Sequence, residues 1–234
     1  MTDDLPPCIV LVDEAARTGA DNMRRDEALL EQVTAGEHLS YVRIYRWSVP
    51  TISLGYFQKL DDAIDPRLAS CDRVKRITGG GAILHDQELT YSCAVPSSHP
   101  VHSDPIQLYE QVHSAIIGLL STLGVNSSMR RDAPGWAEET AGEEPFLCFL
   151  RSDPRDVVIG SHKVIGSAQR RRRGSILQHG SILLRTSPLT PEVPGICNLS
   201  ENFDEAAFAE LLPETIGRSL SATTAVREIT KNAQ

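Results

Sequence analysis

Three consecutive glycines, Gly79-Gly80-Gly81, stand between two strand-like runs, and they restrict this chain more sharply than any other feature. The segment reads Arg76-Ile77-Thr78-Gly79-Gly80-Gly81-Ala82-Ile83-Leu84-His85-Asp86. Glycines in a row let a backbone turn with open N–H groups come close to a ligand. Such amides can hold a phosphate, or a carbonyl oxygen that becomes negative during attack. The spacing is neither G-x-G-x-x-G nor a P-loop with its Lys-Ser/Thr pair. Taken alone, the segment reads first as a plain glycine-rich turn, and His85 as a structural histidine.

The rest of the chain alternates strand runs with single helices. Residues 9–12 and 41–47 have strand character, and Thr51-Ile52-Ser53-Leu54 forms a short strand closed by Gly55. Strands over 73–77, 82–84 and 89–95 flank the glycine turn. A helix spans Ala20 to Ala35, with Asp21 or Asn22 as its N-cap and Met23, Leu29, Leu30 and Val33 on its apolar stripe. A second runs from Pro105 to Leu123, capped by Asp104, with Ile106, Tyr109, Val112, Ile116 and Leu119 on one face. Residues 132–145 read as a loop and 156–184 as β structure. A last helical region, Phe203 to Leu220, is interrupted at Pro213. This order predicts an α+β fold, a mixed and mainly antiparallel sheet with packed helices, without the βαβ rhythm of a doubly wound sheet.

Length and charge limit the function classes. At 234 residues the chain is expected to form one domain, 1–234. No run approaches the ~18 apolar residues of a membrane span, and the acidic start Met1-Thr2-Asp3-Asp4 has no signal-peptide character, so a cytoplasmic location is expected. The net charge of −8 disfavours a nucleic-acid partner, since only Arg170-Arg171-Arg172-Arg173 is strongly basic. On an acidic chain that run is either a solvated turn or a docking patch for an acidic partner. The five cysteines are odd in number, widely spaced and without C-x-x-C, which disfavours a disulfide framework or zinc ribbon. His99 and His102 lack a third ligand at a recognisable spacing, so no metal is expected.

Two further segments carry chemistry. Lys163 opens a strand after the turn Gly160-Ser161, in Lys163-Val164-Ile165-Gly166-Ser167-Ala168-Gln169. There it is either a solvated turn lysine or a fixed cation that polarises a carbonyl or neutralises a phosphate. Cys148 lies in Pro145-Phe146-Leu147-Cys148-Phe149. It is either a small core residue or a reagent whose thiolate a nearby cation would favour.

Together these motifs resemble the lipoate–protein ligase and octanoyltransferase superfamily, which shares its catalytic fold with biotin–protein ligase. Asn22 through Leu30 resembles the family's first helix, and Ser53-Leu54-Gly55-Tyr56-Phe57-Gln58 its strand ending in G-x-x-Q. Arg76 through Ser92 resembles R-x-T-G-G-G-A-x-L-H-D-x-E-L-T-Y-S. Lys163 through Gln169, then Leu177-Gln178-His179-Gly180-Ser181-Ile182-Leu183, resembles K-x-x-G-S-A-Q followed by L-Q-H-G-S-I-L. The E-L-T-Y-S wording and Cys148-Phe149 are most similar to the LipM-type octanoyltransferases. The biotin ligase loop G-R-G-R-x-x-x-x-W is missing.

The resemblance implies an acyltransferase in which Cys148 takes octanoyl from octanoyl–acyl carrier protein. It then passes the group to a lysine of a lipoyl domain, such as glycine-cleavage H protein. It assigns Cys148 and Lys163 as catalytic, and Arg76, Gly79, Gly80, Gly81, His85, Gly166, Ser167, Ala168 and His179 as substrate-binding. Neither ATP nor metal is implied, and a monomer is expected. About fifty residues follow Leu184, so no C-terminal accessory domain is expected. Three rivals are an ATP-dependent lipoate–protein ligase, an amidotransferase between lipoyl domains, and a lipoate-binding module without turnover.

Overall fold

The structure, a computed structural model, describes residues 5–59, 65–136 and 145–229. Its strands are β1 (Cys8–Asp13), β2 (Ser40–Tyr45), β3 (Thr51–Leu54), β4 (Asp72–Lys75), β5 (Ile83–His85), β6 (Glu88–Val95), β7 (Ser128–Met129), β8 (Val157–Ile159), β9 (His162–Arg172), β10 (Ser175–Leu183) and β11 (Thr224–Ile229). The α-helices are α1 (Gly19–Thr34), α2 (Ile106–Thr122), α3 (Ile196–Leu199) and α4 (Glu205–Leu220). An eight-stranded sheet runs β11-β1-β2-β6-β10-β9-β8-β7, and a three-stranded sheet runs β4-β3-β5. Among the described strand pairs, only β11–β1, β1–β2 and β3–β4 are parallel. The expected α+β class with a mainly antiparallel mixed sheet is therefore what the chain adopts.

Both faces of the large sheet are covered, which is why β6 and β10 are buried along their whole length. On one face, α2 and α4 pack Val112, Ile116, Phe208 and Leu212 against Tyr91, Cys93 and Ile182. On the other, Leu29, Leu30 and Val33 of α1 meet Ala94 and Leu177. Because α1 connects two parallel neighbours, β1 and β2, one βαβ unit does exist, although no doubly wound sheet follows from it.

Several local expectations are corrected. The side chain that caps α1 is Thr18, accepting from the Asp21 amide, rather than Asp21 or Asn22. Ile106 is exposed, and Leu108 and Leu120 take its place on the buried face of α2. Pro213 does not interrupt α4. Proline within a helix costs about 3 kcal/mol. Phe208, Leu212, Ile216 and Leu220 recur every four residues and are fully buried, each contributing roughly 1.5–3 kcal/mol. Their combined burial outweighs the lost bond. Strand β11 has no counterpart in the sequence reading, and the expected loop over 132–145 falls partly outside the described residues.

A chain of buried polar groups fastens α2 to the sheet. Gln178 donates to the Tyr91 hydroxyl at 3.0 Å, and Tyr91 bonds Ser167 Oγ at 2.6 Å. Ser167 bonds His113 Nε2 at 2.7 Å, and His113 Nδ1 meets the Arg155 carbonyl at 2.6 Å. A carbonyl only accepts, so Nδ1 carries the proton and Nε2 accepts from Ser167. Burial, reinforced by Lys163, pushes the His113 imidazole down to about 4. The folded state thus prefers neutral His113, whereas the unfolded chain binds its proton near 6.5. Stability is expected to fall as pH drops below that value, by roughly 2 kcal/mol at pH 5 from this group. Urea unfolding at pH 7 and pH 5 checks this, and the loss is expected to shrink in His113→Gln.

Candidate active site

The residues from Arg76 to Ala82 carry the chain from β4 to β5, the two strands flanking β3. They must therefore cross the end of β3, where Gly55 stands. A Cβ on Gly55 would overlap the Gly80 carbonyl, and Gly80 itself has φ +92°, so the crossing needs glycine at both positions. The buried Arg76 guanidinium holds the turn from inside. It donates to the carbonyls of Ser53 at 2.6 Å, Gly79 at 2.7 Å and Gly81 at 2.6 Å. Burial pulls Arg76 down to about 10, so it stays a cation at neutral pH.

The exit of the turn positions Cys148. Ala82 donates to the Phe146 carbonyl at 3.0 Å, and the Cys148 amide donates to the Ala82 carbonyl at 2.7 Å. Cys148 then opens a 3-10 turn, Cys148–Leu150, with its side chain partly exposed. Lys163 reaches it from β9. Its Nζ donates to the Cys148 carbonyl at 3.2 Å and lies 3.9 Å from Sγ. Asp156 pairs with the same ammonium at 3.0 Å.

A bulge lets Lys163 turn this way. Val157 pairs with Ile165 but Val158 pairs with Lys163, so β9 carries one extra residue. Val164 and Ile165 both enter the core, and Lys163 comes to the same face as Gly166. A Cβ on Gly166 would stand 2.6 Å from Lys163 Cε and 3.0 Å from Nζ, so glycine leaves the room that the lysine stem occupies. Burial pushes the Asp156 carboxyl up, and Lys163 opposes that shift.

His179 ties the turn to the opposite side. Its Nε2 meets Thr78 Oγ1 at 2.6 Å and its Nδ1 meets Asp26 Oδ2 at 3.3 Å. Burial lowers the His179 imidazole, Asp26 opposing, so a neutral ring accepts from Thr78 and donates to Asp26. Asp26 also receives Arg43 at 3.0 Å, Tyr45 at 2.9 Å and Ser92 at 2.9 Å. Burial works to raise this carboxyl, but these donors hold it below its usual range.

The sequence-predicted residues fall into three groups. Cys148, Lys163, Gly166 and the Gly79–Gly81 turn held by Arg76 converge directly. His179 faces the turn, and Ala168, its partner across β10 and β9, shares that face. His85 and Ser167 stand apart. His85 is buried between Ser53 Oγ at 2.6 Å and Glu88 Oε1 at 2.7 Å, stacked on Trp47. With His179 it borders a narrow slot that also includes Met23 and Tyr45. Ser167 points to the other face, under α2, because successive strand residues alternate. The arginine run divides in the same way. Arg170 and Arg172 share one face, Arg171 takes the other, and Arg173 enters the hairpin turn at φ +50°. It is neither a solvated turn throughout nor one continuous patch.

Sequence reasoning missed Asp156, Thr78 and Asp26. Asp26 did leave a signal, since Asn22, Asp26, Leu29, Leu30 and Val33 occupy one buried stripe of α1. A carboxylate on such a stripe must be paired. Two open clefts meet at Phe149. One, of about 400 Å³ including space open to solvent, is lined mainly by apolar Ala82, Ile83, Leu84, Leu147 and Leu183, together with Asp86, Gln87 and Arg185. The other, of about 600 Å³, is polar and lined by Arg130, Arg151, His162 and Lys163. Among the described residues no group of three or more His, Cys, Asp and Glu side chains could hold a metal ion. No described helix is long and apolar enough to cross a membrane.

The α+β fold thus brings a glycine turn, a thiol and a buried lysine together. Residues 18–212 match the Lipoyl protein ligase A/B catalytic domain, and the chain belongs to that family. It is 38% identical over 170 residues to Octanoyltransferase LipM of Clostridioides difficile, covering 71% of this chain and 62% of that protein. It is 40% identical over 174 residues to Octanoyltransferase LipM of Geobacillus kaustophilus, covering 70% and 61%. The chain thus matches somewhat less than two thirds of the length of these relatives. A structure of lipoate-protein ligase A bound with ATP shares the fold at TM-score 0.71 and 20% identity, covering 97% of this chain and 90% of that one. A bi-partite lipoate protein ligase from Thermoplasma acidophilum, described with its E2 lipoyl domain, does so at TM-score 0.66 and 20% identity, covering 97% and 87%.

Removing Lys163 takes the nearer cation from buried Asp156 and leaves the more distant Arg130 Nε, at 4.0 Å; breaking such a buried pair typically costs about 3–5 kcal/mol. Lys163→Met is expected to lose about that much at neutral pH in denaturant unfolding. The loss should lessen as pH falls, because a carboxyl raised by burial is relieved on protonation. Adding Asp156→Asn to Lys163→Met is expected to restore most of the stability.

Proposed function

We propose that this chain is an octanoyltransferase that works through a thioester on Cys148. The observation that carries this reading is the placement of Lys163 Nζ, 3.2 Å from the carbonyl and 3.9 Å from the thiol of Cys148. The names of the curated relatives and the family membership support the same chemistry.

The Cys148 thiolate attacks the carbonyl of octanoyl–acyl carrier protein. A carbon–sulfur bond forms, the tetrahedral oxyanion collapses, and the carrier's sulfur leaves and takes a proton. The ε-amine of an acceptor lysine on a lipoyl domain, such as glycine-cleavage H protein, then attacks the new thioester. An amide forms, Cys148 leaves as thiolate, and the amine sheds its proton. Splitting the transfer replaces one difficult displacement by two easier ones. The Lys163 ammonium, held by Asp156, is a fixed cation beside both the thiolate and the oxyanion. The apolar cleft beside Leu147 takes the acyl tail, each buried methylene contributing up to about 0.8 kcal/mol. Thioester to thioester is near balance and thioester to amide is downhill, so the reaction draws on neither ATP nor metal. A cytoplasmic location follows from these partners.

Intact-mass spectrometry after mixing with octanoyl–acyl carrier protein, without ATP, tests the reading. One octanoyl adduct is expected, removed by neutral hydroxylamine and absent in Cys148→Ala. AMP release from ATP and lipoate, without an adduct from the carrier, would make the chain a ligase.

A further inference from the structure

The loop after β3 exposes two aromatic rings. Phe57 is 87% exposed and Tyr56 43% exposed, and their rings meet edge to face at 5.2 Å. Two cations flank Tyr56. The Arg170 guanidinium carbon lies 4.7 Å from the ring centroid and Lys75 Nζ lies 5.6 Å from it. Arg170 comes from β9 and Lys75 from β4, so three separate segments build one basic aromatic spot. Of the other arginines in the run, Arg172 faces Glu27 and Glu31 of α1 at 3.6 and 3.8 Å.

The spot is fixed to the site. Tyr56 donates its amide to the Thr78 carbonyl at 2.8 Å, and Gln58 Oε1 accepts from Gly55 at 3.0 Å. The same turn holds Cys148 at Ala82, its other end. Thr78 and Ala82 are four positions apart, so these attachment points are at most about 15 Å apart. The aromatic spot and the thiol are thus attached to opposite ends of the glycine turn.

We infer that Tyr56, Phe57, Lys75 and Arg170 form the docking surface for an acidic protein domain that delivers the acyl thioester. This rests on the acyl-transfer reading. The chain carries a net charge of −8, so an acidic partner is repelled at long range unless a local basic region orients it. The cations around Tyr56 supply that region, and cation–π contact holds the ring in place. Phe57 supplies an apolar contact that water would otherwise cover, the kind of exposed aromatic that carries binding energy at interface centres. Attachment at the end of the turn away from Cys148 favours the donor over the acceptor. A donor presents its thioester on a flexible arm and docks to one side, whereas an acceptor lysine must bring its own domain against the thioester.

The test compares acyl-enzyme formation from octanoyl–acyl carrier protein and from the octanoyl thioester of N-acetylcysteamine. Phe57→Ser and Lys75→Glu are each expected to lower the second-order rate with the carrier at least tenfold and leave the small thioester unaffected. The salt dependence of the carrier reaction should weaken in Lys75→Glu. A fall with both donors, with neither, or only in the step to the lipoyl domain overturns the assignment. Anisotropy titration of labelled acyl carrier protein against the two variants reads docking without turnover. An absent adduct in the unsubstituted chain would refute the acyl-transfer reading alone, whereas equal carrier affinity in the variants would refute the docking surface.

Discussion

The carboxylate of Asp26 lies in the interior of the chain and collects donors from four directions. Arg43 and Tyr45 reach it from β2, Ser92 from β6 and His179 from β10. An isolated carboxylate at this depth would be far too costly to keep charged. The donors reverse that cost, and in doing so they fix α1 against three strands. Arg43 continues the network to Asp13 of β1 at 2.8 Å and to Asn22 at 2.7 Å. One βαβ unit and the centre of the sheet are thereby locked in a single register. A slip of one residue in β10 would turn His179 away and leave Asp26 with fewer donors than its charge needs.

The site hangs from this framework through one hydroxyl. Thr78 donates to His179, so the glycine turn is positioned by the network that holds the sheet. Arg76 fixes the turn from below, and Cys148 is fixed in turn by Ala82. Each component is placed by main-chain or buried polar contacts rather than by packing of flexible chains. Lys163 is the exception in kind. Its long stem depends on a bulge and a glycine within β9 itself and on a buried carboxylate from the segment before β8.

What the sequence disclosed follows from how local each feature is. The glycine turn, the strand class and the two longer apolar helices depend on patterns within a few residues. The pairing of Cys148 with Lys163 is different, because fifteen residues and two strand edges separate them and no local rule sets their distance. Resemblance named both residues as catalytic but left their distance open, and the structure sets Lys163 Nζ 3.9 Å from Cys148 Sγ. Pro213 misled because helix propensity was weighed without the buried stripe around it. Strand β11 was missed because its pairing with β1 joins opposite ends of the chain. Ser167 was counted with the site because its motif is continuous, yet strand alternation sends every second residue of a motif to the other face.

That alternation gives the K-x-x-G-S-A-Q segment two tasks. Lys163 reaches the thiol, Gly166 makes room for its stem, and Ala168 shares the face of His179. Ser167 faces the opposite way and joins Tyr91 and His113 beneath α2. A Cβ on Gly180 would overlap both Ser167 Oγ and the Tyr91 ring, so β10 also yields space to this buried chain. The strand that aims the lysine is therefore the strand that α2 grips. A change that loosens α2 acts on β9 directly, at Ser167, the position next to the ammonium's glycine neighbour Gly166. Stability of the helical face and the geometry at Cys148 are coupled through one strand, because a single motif serves both faces of the sheet.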